Sequence, residues 1–262
     1  MSEIRLLPSV TDLALSDRGQ VAITGSHGGL FPASVASRRG LRAVVFNDAG
    51  GGAGVEGLFT LDDVGMAAAA VDCMSCHIGS AEDAARHGII SYVNRTAGTL
   101  GIASGQDMAE ASSLLHHAPA PAATLPSAPE ARSMTQVAGR DIHLLDSASL
   151  VTSDDTGHVL VTGSHGGLVG NDPRRALKAD AMLAVFNDAG MGKDRIGIAR
   201  LKPLGARGVA AVTVAHDTAR IGDARSALEE GEISALNEQA AEMGAARGMA
   251  LHTFLSVMVP IT

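Results

Sequence analysis

The chain reads as an α/β protein made of two tandem, homologous repeats, and three observations predict this. The word Thr24-Gly25-Ser26-His27-Gly28-Gly29-Leu30 returns letter for letter at Thr162-Gly163-Ser164-His165-Gly166-Gly167-Leu168. A second word, Val45-Phe46-Asn47-Asp48-Ala49-Gly50, returns as Val185-Phe186-Asn187-Asp188-Ala189-Gly190. Short apolar runs precede both words and alternate with helical segments, the pattern of layered α/β folds with a largely parallel sheet.

Residues 4–30 align with 142–168 without a gap, and later matches drift by a few residues, as loop insertions would cause. A repeat of about a hundred residues is too long for a solenoid turn. It is expected as a fused duplicate whose halves are related by a pseudo-twofold axis. The expected domains are a first repeat over 1–102, a Pro/Ala-rich linker over 103–140 without a counterpart in the other half, and a second repeat over 141–262.

Each repeat is expected to open with a β-hairpin. Its strands are Asp12 to Ser16 and Gln20 to Thr24, around the turn Asp17-Arg18-Gly19, with Asp154-Asp155-Thr156-Gly157 as the second turn. After the Ser-His-Gly-Gly loop, a helix runs from Pro32 to about Arg38. Asn171-Asp172-Pro173 starts its counterpart with a capping residue and Pro in the first turn. Leu41 to Phe46 and Ala181 to Phe186 are expected as predominantly apolar strands, buried on both faces. Gly50 to Gly57 reads as a connection, followed by a weak helix around Leu61 to Met66. Ala67 to Val71 and Ala210 to Val214 are the third apolar strands. A pair of helices closes each unit, over 80–87 and 89–100, then 224–230 and 232–247, with Ser80 and Asp223 as N-caps.

Composition narrows the function. Aromatics are 2% of the 262 residues, with no Trp and one Tyr, so base-stacking platforms have no material. A net charge of −8 disfavours polyanions, so no nucleic-acid partner is expected. No apolar run approaches a membrane span, and the N-terminal residues lack a basic-then-apolar signal. With two cysteines no disulfide framework is expected. A cytoplasmic location, no membrane partner and a homo-oligomer are the expectations.

The chemistry is expected at the carboxyl ends of the strands, where parallel α/β sheets bind ligands. The first strand delivers Ser26 and His27, or Ser164 and His165. The second delivers Asn47 and Asp48, or Asn187 and Asp188. The third delivers Asp72 and Cys73, or Ala215 and His216. Glycines at 28, 29, 166 and 167 let backbone N–H groups approach an anion, and imidazole titrates in the useful range. The primary expectation is a cofactor-independent hydrolase acting on a C–N or acyl bond of a small anionic or amide metabolite. Ser164, His165 and Asp188 are its catalytic set, and Ser26, His27 and Asp48 are the counterpart set. Gly28, Gly29, Gly166, Gly167, Asn47, Asn187 and Arg220 are expected to hold substrate, with Arg220 clamping a carboxylate.

Two other classes stand beside it. One is an acid–base lyase or isomerase using Cys73 and His216. The other is a small-molecule-binding protein without turnover. Each residue also has a plain structural alternative: glycine turns satisfied by their Ser and His, Asx residues ordering a loop, and cysteines as small core residues. Cys73-Met74-Ser75-Cys76-His77 matches the C-x-x-C-H pattern of haem attachment, but it aligns with a Cys-free stretch, and neither haem nor a resident metal is expected.

Overall fold

A computed structural model describes residues 4–259 and divides the chain into two compact units. The first unit is residues 1–129 with the short segments 169–171 and 192–194; the second is the remainder. Each contains one mostly parallel sheet, of five and of six strands.

The first unit runs β1 (Arg5–Leu7), β2 (Val21–His27), α1 (Leu30–Arg38), β3 (Ala43–Asn47), α2 (Gly51–Thr60), β4 (Ala67–Val71), α3 (Ala81–His87), β5 (Ile90–Val93), α4 (Arg95–Gly98) and α5 (Met108–Leu115). The sheet order is β1-β2-β3-β4-β5. The first four strands are parallel and β5 is antiparallel to β4. Alternate side chains of the buried strands serve two cores. Ala22, Val44, Phe46 and Ala68 face α1 and α2. Val21, Val45, Ala69 and Val71 face α3 and α5.

The second unit runs β6 (Arg132–Val137), β7 (Arg140–Leu145), β8 (Val159–His165), β9 (Leu183–Asn187), α6 (Leu201–Ala206), β10 (Ala210–Val214), α7 (Ala224–Glu230), β11 (Ile233–Leu236), α8 (Glu238–Glu242) and α9 (Leu251–Val257). Its order is β11-β10-β9-β8-β7-β6, with β7 to β10 parallel and antiparallel strands at both edges. Leu160, Ala184 and Phe186 line one core, and Val161, Val185 and Val212 the other. The two similar sheets fit the sequence repeat.

Four local expectations are corrected. The opening hairpin is absent: β1 runs parallel to β2, and 3₁₀ turns at Val10–Asp12 and Leu15–Asp17 bridge them. The turn acids are buried anchors instead. Asp17 accepts the Ala14 N–H, and Asp155 the Thr152 N–H. A hairpin does occur in the second unit, but at β6–β7.

The glycine stretch from Gly51 is helix α2, not a connection. Gly54 and Gly57 are there for contact. A Cβ at Gly54 would collide with the Ala49 carbonyl, and one at Gly57 with the Gly29 carbonyl. The expected second closing helix of each unit is an edge strand, β5 or β11, followed by a short helix capped by Asn94 or Asn237.

The 103–140 stretch is not one linker. It carries α5, the extended segment after it, and β6. It also has a partial counterpart. The Ile90 N–H donates to the Gln106 carbonyl as the Ile233 N–H does to that of Met249, and α9 follows as α5 does. The extended part is pinned along α1. Ser37 Oγ accepts the Leu125 N–H, and Ser34 Oγ donates to the Pro126 carbonyl and accepts the Ala128 N–H.

Candidate active site

The repeated loop is explained first by packing. Both β2 and β8 break register before their terminal His, between Ile23 and His27 and between Val161 and His165. Thr24 Oγ1 donates to the Val45 carbonyl and Thr162 Oγ1 to that of Val185, bridging the break. Gly25 lies where three backbone segments meet: a Cβ would stand 2.5 Å from both Gly79 C and Pro8 O. Gly163 is enclosed the same way by Asp223, Gly222 and Asp146. Ser26 Oγ accepts the Val10 N–H at 2.9 Å, and Ser164 Oγ accepts the Ala148 N–H at 2.9 Å. Both hydroxyls therefore cap a 3₁₀ turn.

The expected anion cradle is likewise partly committed. The Gly29 N–H donates to His27 Nδ1 at 3.2 Å, and the Gly166 N–H to the Asn187 carbonyl at 2.7 Å. The Gly28 carbonyl accepts the Gly57 N–H, and the Gly166 carbonyl the Arg200 N–H. Since His27 accepts on Nδ1, its neutral proton sits on Nε2. Burial pulls its pKa down to about 4, so the ring is uncharged at neutral pH. His165 is buried at the end of β8, paired in register with Asn187.

Asn47 and Asn187 order the loops after their strands. Each Oδ1 accepts the N–H two residues on, from Ala49 at 3.0 Å and Ala189 at 2.8 Å, an Asx turn. Asn187 Nδ2 donates to the Ala219 carbonyl, and Asn47 Nδ2 to Cys76 Sγ. Cys76 is fully buried in the α3-side core.

The acids that follow each gather several polar groups. In the second unit, Asp188 Oδ1 accepts the backbone N–H groups of Gly190 and His216, both at 3.0 Å. The same oxygen lies 3.4 Å from His216 Nδ1. The Asp188 side chain is 4% exposed and that of His216 38%. Asp188 thus faces His216. The carboxylate lies on the Nδ1 side of the imidazole, and Nε2 is the nitrogen farther from it. A Cβ at Gly190 would touch the His216 ring at 3.7 Å, so that glycine closes one side of the imidazole.

The first unit repeats this frame with other chemistry. Asp48 Oδ1 accepts the Cys73 N–H at 2.7 Å. Burial first, then hydrogen bonding and charge from Asp48 and the charge of Asp72, push the Cys73 thiol up to about 12. It is a neutral thiol near neutral pH, not a thiolate nucleophile. Asp48, Asp72 and Cys73 bring one ligand atom each within 4.8 Å of one another. Among the described residues this is the one such trio able to hold a cation, and two carboxylates with one thiol suit a borderline divalent ion.

Arg220 stands between His216 and α7, with its N–H on Ser226 Oγ, and Asp223 caps α7 through the Ser226 N–H. Ser80 caps α3 through Asp83 N–H. One buried residue escaped the sequence reading. Arg200 is 4% exposed, and its guanidinium bonds the carbonyls of Gly167 and Ala176 beside the second loop. The available signal was positional: an Arg stands where the first half carries Gly57.

Among the described residues, no helix is long and apolar enough to cross a membrane. No protein-family model, curated protein or solved structure matches the chain.

Proposed function

We propose that the second unit carries an acid–base active site for a small polar, carboxylate- or amide-bearing metabolite. His216 is the proton carrier and Asp188 the carboxylate that orients it. The observation that carries this reading is the 3.4 Å approach of Asp188 Oδ1 to His216 Nδ1, with that oxygen also held by two backbone N–H groups. A buried, fixed carboxylate behind a half-exposed imidazole is the arrangement that general-base catalysis uses.

Backbone strain supports the same unit. Ala189 and Met191, directly after Asp188, have φ of 54° and 64°, a left-handed conformation costing non-glycine residues about 1–2 kcal/mol each. Such strain clusters at functional sites. After Asp48 the positive φ angles fall on Gly50 and Gly51, which carry no such cost, and Ala49, the match of Ala189, has none.

Proton transfer at substrate carbon, the lyase or isomerase class, is the form preferred here. Serine acylation is less favoured, because Ser26 and Ser164 already serve backbone N–H groups. C–N or acyl hydrolysis fits the same dyad if His216 takes its proton from water. Cys73 is then a proton donor in its own unit rather than a nucleophile. A cytoplasmic homo-oligomer belongs to the same reading, and a monomer mass by light scattering across concentrations would remove the oligomer.

The test is proton NMR of pooled small carboxylates and amides in D2O with the protein and with His216→Gln. Loss of a carbon-bound proton signal in the wild type alone supports proton transfer. New product pairs identify hydrolysis instead. Turnover that survives in His216→Gln sinks the assignment, and substrates recovered unchanged favour a binding protein.

A further inference from the structure

We propose that Arg200 is a positioning residue of the second unit's site. Its buried guanidinium does for the second copy of the loop what a helix does for the first. The inference rests on the acid–base reading for its functional meaning, but its geometry stands on the loop alone.

In the first unit the Gly29 carbonyl accepts the Ala33 N–H at 3.1 Å, the opening bond of α1. That helix fixes the direction in which the chain leaves His27. The second unit has no such helix after its loop. In its place the second unit has the 3₁₀ turn Pro173–Arg175. The carbonyl matching Gly29 is that of Gly167, and it accepts Arg200 Nε at 3.0 Å. A side-chain N–H has replaced a helical one.

The same guanidinium reaches the returning chain. Nη1 donates to the carbonyls of Arg175, at 3.3 Å, and Ala176. It lies 5.1 Å from the centre of the Phe186 ring, so a cation–π contact offsets part of its desolvation. Its backbone N–H also donates to the Gly166 carbonyl at 2.8 Å. One residue therefore ties together Gly166, Gly167 and Ala176.

The two devices exclude each other. The first unit has Gly57 at the equivalent place, its N–H on the Gly28 carbonyl at 2.9 Å as Arg200's is on Gly166. A Cβ there would strike the Gly29 carbonyl and the Ala33 side chain. Where the helix is present, no side chain fits; where it is absent, Arg200 fills the space. Among the described residues no carboxylate contacts this guanidinium, so a buried charge is spent on holding backbone carbonyls. The path to the site is short. The Gly166 N–H donates to the Asn187 carbonyl, and Asp188 is the next residue.

The test uses Arg200→Gly, which installs the first unit's residue, with and without sub-denaturing guanidinium ion and with equimolar urea as control. It is read by imidazole NMR and amide hydrogen exchange, neither of which needs a substrate. Exchange at Gly166–Leu168 is expected to rise at least about tenfold, from the loss of charge-assisted hydrogen bonds. Exchange at Val185 and Val212 should stay within about twofold, as core strands open by global unfolding alone. The His165 signal should move and that of His27 should not. Guanidinium ion should restore the wild-type pattern and urea should not. Arg200→Lys, which keeps the charge but not the fork, should keep the fold and leave the loop exchanging fast.

An unchanged loop in Arg200→Gly overturns the proposal. So does a rise shared equally by loop and core, or no recovery with guanidinium ion. If the loop effects appear but His216→Gln retains turnover, the acid–base reading fails and the positioning role of Arg200 in the loop stands.

Discussion

Asp188 and His216 stand in the second unit as Asp48 and Cys73 stand in the first: the acid's Oδ1 receives the backbone N–H of the partner, at 3.0 Å and 2.7 Å. The frame is shared and the side chain presented on it differs. Under the acid–base proposal the imidazole placed there is oriented, and the thiol placed there is kept protonated. Asp188→Asn preserves an acceptor for the two N–H groups but removes the charge that selects the imidazole tautomer. Turnover should fall by about 10²–10⁴-fold, with the fold intact. The His216 ¹⁵N shifts should report a change of tautomer. Wild-type turnover in this variant would remove Asp188 from the mechanism.

Ser164→Ala separates capping from nucleophilic catalysis. It leaves the Ala148 N–H without its acceptor, at a cost of about 1–3 kcal/mol. Ser26→Ala should cost a similar amount through Val10. Urea titration reads both. Turnover per folded molecule should persist in each. A Ser164→Ala protein of wild-type stability with no turnover would restore the serine-acylation chemistry.

Much of this was legible in the sequence because it depends on local pattern. The strands Ala43–Asn47, Ala67–Val71, Leu183–Asn187 and Ala210–Val214 are apolar but for Asn47, Asn187 and Thr213, as burial on both faces demands. The strand-end placement of Asn47, Asp48, Cys73 and His216 followed from the same runs. What was hidden depends on distant backbone. Gly54 and Gly57 read as breakers, yet they sit in α2 because Ala49 and Gly29 press against them. That the hydroxyls of Ser26 and Ser164 accept the N–H groups of Val10 and Ala148 is equally invisible in the sequence. In the identical loop words Thr, Gly and Ser each have a packing role as well, which the words alone do not reveal. The approach of Asp188 to His216 depends on which strand end lies beside it. Sequence spacing does not record that.

Acid sensitivity should come in two stages. The folded value of His27 is about 4, below the ordinary 6.5, because burial penalises its charged form. Between those values the unfolded chain binds more protons than the folded one, so this contribution is full above about pH 6.5. It is lost as pH falls, levelling near pH 4, and amounts to at most about 3 kcal/mol. Asp155 acts lower. The hydrogen-bonded Arg132 guanidinium holds its carboxyl well below the usual range, so its contribution is lost only as pH falls beneath the ordinary carboxylate value. Glu130, which burial raises to about 7, acts with the opposite sign over the same range, so the first stage is read as the difference in urea midpoint between wild type and His27→Gln from pH 8 to pH 3. His27→Gln should flatten the first and leave the second. Equal slopes in wild type and His27→Gln between pH 6.5 and pH 4 would refute the assignment.

Cys73 should be a slow thiol despite its half-buried position. With its value pushed up to about 12, the thiolate fraction at pH 8 is about three orders of magnitude below that of an ordinary cysteine. Iodoacetamide with EDTA present, followed by peptide mass, reads Cys73 separately from the core residue Cys76. Labelling in the folded protein should be slower than in urea by at least about a hundredfold. Asp48→Asn removes a carboxylate that raises the thiol, so the rate should climb. It should not reach the unfolded rate, because burial, the larger cause, remains. Asp72→Asn should climb less, since Asp72 acts through charge alone. Equal labelling in the folded wild type and in urea would mean that the Asp48–Cys73 frame does not hold the thiol neutral, and the two units would then differ in more than the side chain they present.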